Sequence, residues 1–434
     1  MPASFAKFTA LLTARVTALS TERHRPTLRK FGLPLLGAAL LLLALVVALS
    51  WGKDLDERHR PLDSSEAFDF SSGSFDDYIA WAQRRLRTAR PDASDYVMSG
   101  LLPFRLEPAA DCAASESFRN GVVLTHDLFD SPYTMRELGI YFQQRCFLVF
   151  GLLLPGHGSR PGDLLRAGWQ DWDAAQRFAV REISREIDNL YLAGHGVGGT
   201  LAILEAARNA EVDGLMLFAP MLAERPVPWR AAFGVAVPAA RWDRVMPAYS
   251  DYRYESHPYR ATGQVNALVE AVTTALPSRP FEVPVFMVAS MEDATADTPA
   301  ILAYMKERVH PLSHTLLYSR EPLAAQPGIT VHPSHFPELG LLSFGHLGLT
   351  VPMHDSEFGW YGTSHDCGHY FRENAAAWQA CMAGERSVVG EVLPGLLAEG
   401  LLERITFNPA FETMTQSLDT FIAPVAPVPA PLIF

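Results

Sequence analysis

The chain has 434 residues, of which 48% are hydrophobic and 19% charged, and its formal net charge is −12. This composition excludes a largely disordered chain, and the length allows one large or two medium domains with an ample core. The acidic balance argues against nucleic-acid binding, because a protein that binds phosphates needs a basic surface.

The first 51 residues differ in character from the rest of the chain. They hold six basic residues and one acidic residue, and the stretch from Phe31 to Trp51 contains no ionisable side chain. About 20 apolar residues in a helix cross the hydrocarbon core of a bilayer. We therefore predict a basic tail over residues 1–30 and a transmembrane anchor over residues 31–51. A cleaved signal peptide is the alternative, although the basic region and the apolar run are both long for one.

The basic flank of this anchor also predicts its orientation. By the positive-inside rule, the N-terminus is cytoplasmic and everything after Trp51 is extracytoplasmic, which means periplasmic in a Gram-negative cell. In such a compartment cysteines can form disulfides. Cys367 and Cys381 are one candidate pair, whereas Cys146 opens an apolar run and is predicted to be a buried thiol.

Residues 52–115 are polar, and we predict a spacer with one amphipathic helix at about residues 75–87. From residue 116 onwards, short apolar runs alternate with helical stretches, which is typical of a parallel sheet covered by helices on both faces. The predicted strands are residues 121–125, 147–154, 190–193, 215–218, 285–288, 315–318 and 329–331. The long segment at about 221–282 is predicted to be an inserted cap over the carboxyl edge of the sheet.

The third predicted strand leads into a glycine-rich turn and then a helical stretch. As G-x-G-x-x-G, the turn is similar to a dinucleotide-binding loop, but that loop follows the first strand of its fold, and the next strand here ends without a carboxylate for the ribose. As the nucleophile elbow G-x-S-x-G, the turn has Gly196 in place of the serine. Gly194 and Gly198 supply the small flanking residues that this strained turn requires.

Other loops favour the elbow. Residues 125–133 (THDLFDSPY) follow the first strand, residues 154–158 (LPGHG) follow the second, and a Trp-x-Asp-Trp sequence begins at Trp169. Together these motifs resemble the bacterial α/β-hydrolase family of serine esterases, lipases and serine aminopeptidase-like proteins. The resemblance implies a mostly parallel α/β-hydrolase fold over residues 116–434. We expect no cofactor and no metal.

The resemblance and the chain order nucleophile, acid, histidine place the remaining site residues. Asp293 ends the fifth strand, where the acid belongs, although it could also be a carboxylate at a helix N-terminus. His346 follows Gly345 on a late loop and is our choice for the histidine. The expected oxyanion donors are the backbone N–H groups of Leu128 and Val197. The other late histidines considered for the role are His354, His365 and His369.

Two departures from the family pattern fall at this site. Gly196 has no side chain, so a His346–Asp293 pair has no hydroxyl to activate. Asp127 replaces the glycine of the oxyanion loop, and its carboxylate would oppose a developing oxyanion unless it is protonated or turned away. Removing the serine of a comparable triad lowers turnover roughly 10⁶-fold. Nearby serines that are not on an elbow are Ser131, Ser290 and Ser343.

These departures lead us to expect a single-pass inner-membrane protein whose acyl-transfer chemistry is lost. Its pocket would bind a small acyl-type ligand or a protein partner. The alternative is an active hydrolase of esters or other acyl compounds that uses a non-standard nucleophile or a water activated by His346. His365 and His369 have a metal-ligand spacing but are expected to be structural, because glycines place them in a loop.

Overall fold

The computed structural model describes residues 43–44, 55–62, 67–112, 118–223, 227, 238–276, 281–308 and 310–423. The chain divides into two units, Met1–Asp54 with Val237–Ala239, and Leu55–Ala236 with Ala240–Phe434. In the first unit only residues 43–44 and 238–239 are described, so the predicted tail and nearly all of the predicted anchor lie outside the described residues. Within the described ranges, no helix has the length and hydropathy of a membrane span.

The described part of the second unit contains twelve strands. They are β1 (Phe104–Leu106), β2 (Phe118–Thr125), β3 (Phe147–Leu152), β4 (Ile187–His195), β5 (Val212–Phe218), β6 (Trp242–Arg244), β7 (His257–Pro258), β8 (Val285–Ser290), β9 (His314–Ser319), β10 (Ile329–Pro333), β11 (Val388–Gly390) and β12 (Leu402–Arg404). Eight of them form the central sheet in the order β1-β3-β2-β4-β5-β8-β9-β10. β1 is antiparallel to β3, and every other neighbouring pair in this sheet is parallel.

Nine helices are described. They are α1 (Phe75–Ala89), α2 (Asp95–Leu101), α3 (Arg136–Gln143), α4 (Trp169–Ile183), α5 (Val197–Ala206), α6 (Tyr259–Ala275), α7 (Thr298–Lys306), α8 (Ala375–Met382) and α9 (Phe411–Ile422).

Every residue of β3 and β8 is buried. Because successive side chains of a strand point to opposite faces, both faces of the sheet are covered at these strands. The seven strands predicted from the apolar runs all lie in this sheet.

The prediction of a polar spacer up to residue 115 is wrong for its described part. α1 begins at Phe75 because Ser74 caps it, with the Asp77 N–H donating to Ser74 Oγ at 3.2 Å. Phe75 is 2% exposed and stacks on Phe150 of β3 with ring centroids 4.0 Å apart. The segment therefore packs onto the same hydrophobic core as the central sheet. Composition concealed this, because one apolar helix face is enough to pack a mostly polar segment onto a core.

The prediction for Cys146 is wrong, and the pairing of β1 gives the reason. Cys146 is not a free buried thiol but forms a disulfide with Cys112, at a Cα–Cα distance of 5.6 Å. The antiparallel pairing of β1 with β3 carries the chain after β1 back towards the start of β3, where Cys146 lies. The second disulfide joins Cys367 and Cys381, the candidate pair from the sequence, so all four cysteines are paired.

The insertion between β5 and β8 contains β6, β7 and α6 in its described part. β6 and β7 form a small antiparallel ribbon, and α6 packs against α5 through an apolar face that includes Val265 and Leu268. Of its tyrosines, Tyr249 and Tyr254 line a cavity shared with the ends of β2 and β4, whereas Tyr252 stacks on Tyr133 at 3.9 Å. The insertion thus supplies one wall of the candidate site.

Candidate active site

β4 ends in a sharp turn at Gly196. This residue has φ +51° and ψ −112°, a conformation that L side chains rarely adopt, and α5 begins at the next residue. A Cβ on Gly194 would lie 2.2 Å from the backbone of Gly198, and a Cβ on Gly198 would lie 2.1 Å from the backbone oxygen of Thr125. The crowded strand–turn–helix geometry is that of a nucleophile elbow, with glycine at the nucleophile position.

Asp293 and His346 meet beside this turn. His346 Nδ1 lies 2.7 Å from Asp293 Oδ2, and both side chains are fully buried. Asp293 also accepts the backbone N–H groups of Thr295 (2.6 Å) and Ala296 (2.7 Å). Burial opposes ionisation of this carboxyl group, but His346 and these N–H donors hold the pKa of Asp293 below its usual range. The acid and the histidine predicted from chain order are therefore brought together.

Asp127 is neither protonated nor turned away. A Cβ on Gly196 would lie 1.8 Å from Asp127 Oδ1, so the carboxylate stands where the side chain of residue 196 would begin. Asp127 Oδ1 accepts the Val197 N–H at 2.7 Å, and Oδ2 lies 3.0 Å from His346 Nε2. Although burial acts in the opposite direction, His346 holds the pKa of Asp127 well below its usual range. An ionised carboxylate thus occupies one of the two expected oxyanion donors.

His346 lies between two carboxylates. Burial by itself disfavours the charged ring, but the charge of Asp293 and the hydrogen bonds to Asp127 and Asp293 together raise the pKa of His346 to about 10. The ring is therefore an imidazolium at neutral pH, with both of its N–H groups engaged. A general base needs a free lone pair, which this state of His346 does not offer.

None of the serines near the site hydrogen-bonds to His346 in the described part of the chain. Ser290 Oγ donates to the Phe344 carbonyl at 3.1 Å, and Ser343 Oγ accepts the Glu391 N–H at 2.9 Å. Ser131 Oγ is buried and has no hydrogen-bond partner within the described ranges. The side-chain oxygen at His346 Nε2, where the nucleophile hydroxyl of a triad would lie, belongs to the carboxylate of Asp127.

The other late histidines are not paired with the acid. Within the described ranges, the Asp293 side chain forms an ion pair only with His346. His365 Nδ1 instead lies 2.8 Å from Glu403, and His369 lies next to the Cys367–Cys381 disulfide. These histidines do not join a cluster of three metal-ligand side chains among the described residues.

A cavity of about 620 Å³ opens beside Asp127. Leu128 and Val197, the two expected oxyanion residues, line it. The wall is also charged. The guanidinium carbon of Arg253 lies 4.1 Å from the centroid of the Phe358 ring. Arg253 Nη2 donates to the Leu347 carbonyl at 2.8 Å. The charged side chains of the lining are Asp127, Asp130, Asp243, Arg244, Arg253, Glu255, Asp366, Glu391 and Arg404.

Sequence reasoning missed two residues of this region. Arg253 reaches the site from the insertion, and its buried Nη1 has no hydrogen-bond partner in the part of the chain that the structure describes. His195 is fully buried next to the elbow, with its Nε2 3.0 Å from the backbone oxygen of His346. His195 could have been identified as a site residue from the sequence, because it lies inside the glycine-rich turn. No local pattern marks Arg253, because its place depends on how the insertion folds over the sheet.

The sheet order, the elbow and the Asp–His pair define a domain of the α/β-hydrolase class. Residues 116–307, which are less than half of the chain, match the family model described as serine aminopeptidase, S33. A thermostable monoacylglycerol lipase from Bacillus sp. (strain H-257) is 26% identical over 120 residues, which are 28% of this chain and 44% of that protein. The chain is therefore related to esterases and lipases, and the match spans less than half the length of that relative.

Solved structures of lipolytic enzymes are also similar to this chain. One is described with LipS and LipT, two metagenome-derived lipolytic enzymes. It has a TM-score of 0.41 and 22% identity, and covers 51% of this chain and 88% of that chain. A monoacylglycerol lipase from Paleococcus ferrophilus has a TM-score of 0.38 and 17% identity, and covers 50% of this chain and 88% of that chain.

Proposed function

We propose that this protein has lost serine acyl-transfer chemistry and uses the cavity beside the former active site to bind a ligand. The observation that carries this proposal is the position of Asp127. Its carboxylate fills the place of the nucleophile side chain and accepts the Val197 N–H at 2.7 Å. A substrate carbonyl would have to displace it before reaching that donor.

The electrostatic effect of the Asp127 carboxylate supports the proposed loss of acyl transfer. Two unit negative charges about 3 Å apart repel by about 5 kcal/mol at an effective dielectric constant of about 20. An oxyanion forming beside the ionised Asp127 would meet repulsion of that order, which corresponds to roughly 10⁴-fold in rate. This penalty adds to the loss of the hydroxyl at Gly196. Two independent obstacles therefore stand in the same site.

The experiment is activity-based labelling of the purified full-length protein with a fluorophosphonate, which reacts with activated serines. The proposal expects no labelling and no cleavage of short-chain p-nitrophenyl esters above the rate of a His346→Gln control. Labelling that mass spectrometry maps to a serine in the cavity would end the proposal. It would support the alternative of an active hydrolase with a displaced nucleophile.

We further propose that the chain is anchored by residues 31–51 with its main domain outside the cytoplasm. The two disulfides support this location, because disulfides persist in oxidising compartments and are rare in the cytosol. Fractionation of cells that express the full chain tests the anchor, which predicts release by detergent and retention in high salt. Protection of the domain from protease in intact spheroplasts would contradict the orientation.

A further inference from the structure

The side chain of His195 points to a second property of the same buried cluster. His195 Nδ1 is buried and has no hydrogen-bond partner among the described residues, while its Nε2 contacts the His346 backbone oxygen. A buried polar nitrogen without a partner is costly unless water or an ion occupies the adjacent space. Asp127, His195 and His346 each offer one ligand atom, and these atoms all lie within 4.8 Å of one another.

We propose that Asp127, His195 and His346 bind a divalent transition-metal ion, best matched by Zn²⁺. Two imidazoles and one carboxylate are a ligand set that zinc uses when a fourth position stays open. The inference deepens the proposed function of this site and rests on the absence of a side chain at Gly196, which leaves room for the Asp127 carboxylate.

The three ligand atoms need to move only a short distance to reach the spacing of a tetrahedral zinc site. Ligands 2.0–2.2 Å from a tetrahedral zinc ion are roughly 3.3 Å from one another. Asp127 Oδ2 and His346 Nε2 are already 3.0 Å apart. The third ligand, from His195, has to approach by no more than roughly 1.5 Å, the difference between 4.8 Å and the tetrahedral spacing.

Each of the three ligands is already oriented by an outer hydrogen bond. His346 Nδ1 donates to Asp293 at 2.7 Å, and His195 Nε2 donates to the His346 carbonyl at 3.0 Å. The Val197 N–H holds the other oxygen of Asp127 at 2.7 Å. Metal-binding histidines almost always donate their second ring N–H to a carboxylate or a backbone carbonyl, and this outer contact fixes the tautomer.

The charge balance favours a divalent ion over a proton. Asp127 and Asp293 are two carboxylates around one imidazole, with side-chain exposures of 7% and 0%. With a proton on His346 the group keeps one uncompensated negative charge, whereas a divalent ion that displaces the Nε2 proton into solvent makes the group neutral. Asp130 and Arg253 lie nearby but face each other at 3.5 Å and add no net charge. Buried charge without compensation is costly.

A bound metal ion would account for both departures from the family pattern. Gly196 removes the Cβ that would clash with the carboxylate, and Asp127 supplies an anionic ligand. Loss of the serine alone would require no acidic residue in the oxyanion loop. Because Asp127 lines the 620 Å³ cavity, we expect an ion to enter from that side and an anionic group of a ligand to complete its coordination.

The test is metal binding to the full-length protein, purified in detergent and stripped with a chelator. We expect one Zn²⁺ per chain after desalting, measured by mass spectrometry of the metal. Co²⁺ in its place should give the intense visible absorption of a tetrahedral site. Asp127→Asn and His195→Ala should each lose the ion. Asp293→Asn should weaken binding on the order of 10–100-fold, the usual effect of removing an outer contact.

Asp130→Asn is the matched control, because it changes a buried acid next to the site that is not a ligand in the proposal. Circular dichroism and thermal unfolding of each variant without metal separate loss of the ion from loss of the fold. Binding weaker than about millimolar, or binding that survives Asp127→Asn unchanged, would overturn the metal site.

Different experimental results would refute the metal site and the proposed binding function. A wild-type protein that binds no Zn²⁺ and does not react with the fluorophosphonate refutes the metal site alone. Labelling of a serine in the wild-type cavity refutes the proposed function whether or not zinc is bound. Ester cleavage that requires Zn²⁺ and disappears in Asp127→Asn supports the metal site and overturns the binding function.

Discussion

The serine of an ordinary elbow cannot be restored by Gly196→Ser alone. Its Cβ would lie 1.8 Å from Asp127 Oδ1, far inside contact distance, and the left-handed φ of +51° adds strain. Asp127 would have to leave both the Val197 N–H and His346. Hydrogen bonds to charged groups contribute about 1.5–3 kcal/mol each, so moving the carboxylate costs about 3–6 kcal/mol. We expect a destabilised variant that does not react with the fluorophosphonate.

The double variant Asp127→Gly/Gly196→Ser removes the obstacle along with adding the hydroxyl. It frees the Val197 N–H for an oxyanion and takes away one of the two carboxylates that raise the pKa of His346. His346 can then act as the base, oriented by Asp293 at 2.7 Å. We expect fluorophosphonate labelling and ester cleavage at least roughly 10³-fold faster than in either single variant, within the range that an intact triad supplies.

The assay compares wild type, both single variants and the double variant by in-gel fluorescence, with the labelled residue mapped by mass spectrometry. Unfolding in urea checks that each protein is folded. Labelling of Gly196→Ser as fast as the double variant would show that Asp127 does not block the elbow. A folded double variant that stays unlabelled would refute the assignment of His346 and Asp293 as the activating pair.

Four further predictions concern charge, a disulfide and packing. In protein stripped of metal, Asp127→Asn should lower the pKa of His346 from its value of about 10, as followed by NMR titration of the ring, because one of the two flanking carboxylates is gone. A raised histidine pKa contributes stability that is complete below about pH 6.5 and is lost as the pH rises towards 10. The difference in unfolding free energy between wild type and His346→Gln should therefore shrink as the pH rises through that range. A difference that grows would contradict the raised pKa of His346. Replacing Cys112 and Cys146 by serine opens a loop with a sequence separation of 34 residues and should lower the unfolding free energy by about 3–4 kcal/mol in urea titrations. Phe75→Ala should cost about 3–5 kcal/mol, whereas a spacer residue outside the core would cost almost nothing.

The candidate site was predictable in its positions but not in its state. Gly196, Asp293 and His346 follow from the order of motifs along the chain, because an elbow, an acid and a histidine each end a recognisable segment. From the sequence, Asp127 could be recognised only as a carboxylate that would oppose an oxyanion at this site. Whether its carboxylate turned away or faced the imidazole depended on the backbone of β2 and β4 and on the loop that carries His346, which no local pattern describes.

The sequence by itself determined the parallel strands of the sheet, since buried strands are short apolar runs between helical stretches. It also determined the elbow, since only glycine tolerates the crowding of Gly194 and Gly198 against neighbouring backbone. The tertiary structure decided what depends on pairs of residues far apart in the chain. β1 is three residues long and is a strand only because β3 pairs with it, and that pairing brings Cys112 to Cys146. The contact of Asp127 with His346 spans 219 positions and exists only once the sheet and the late loop are assembled.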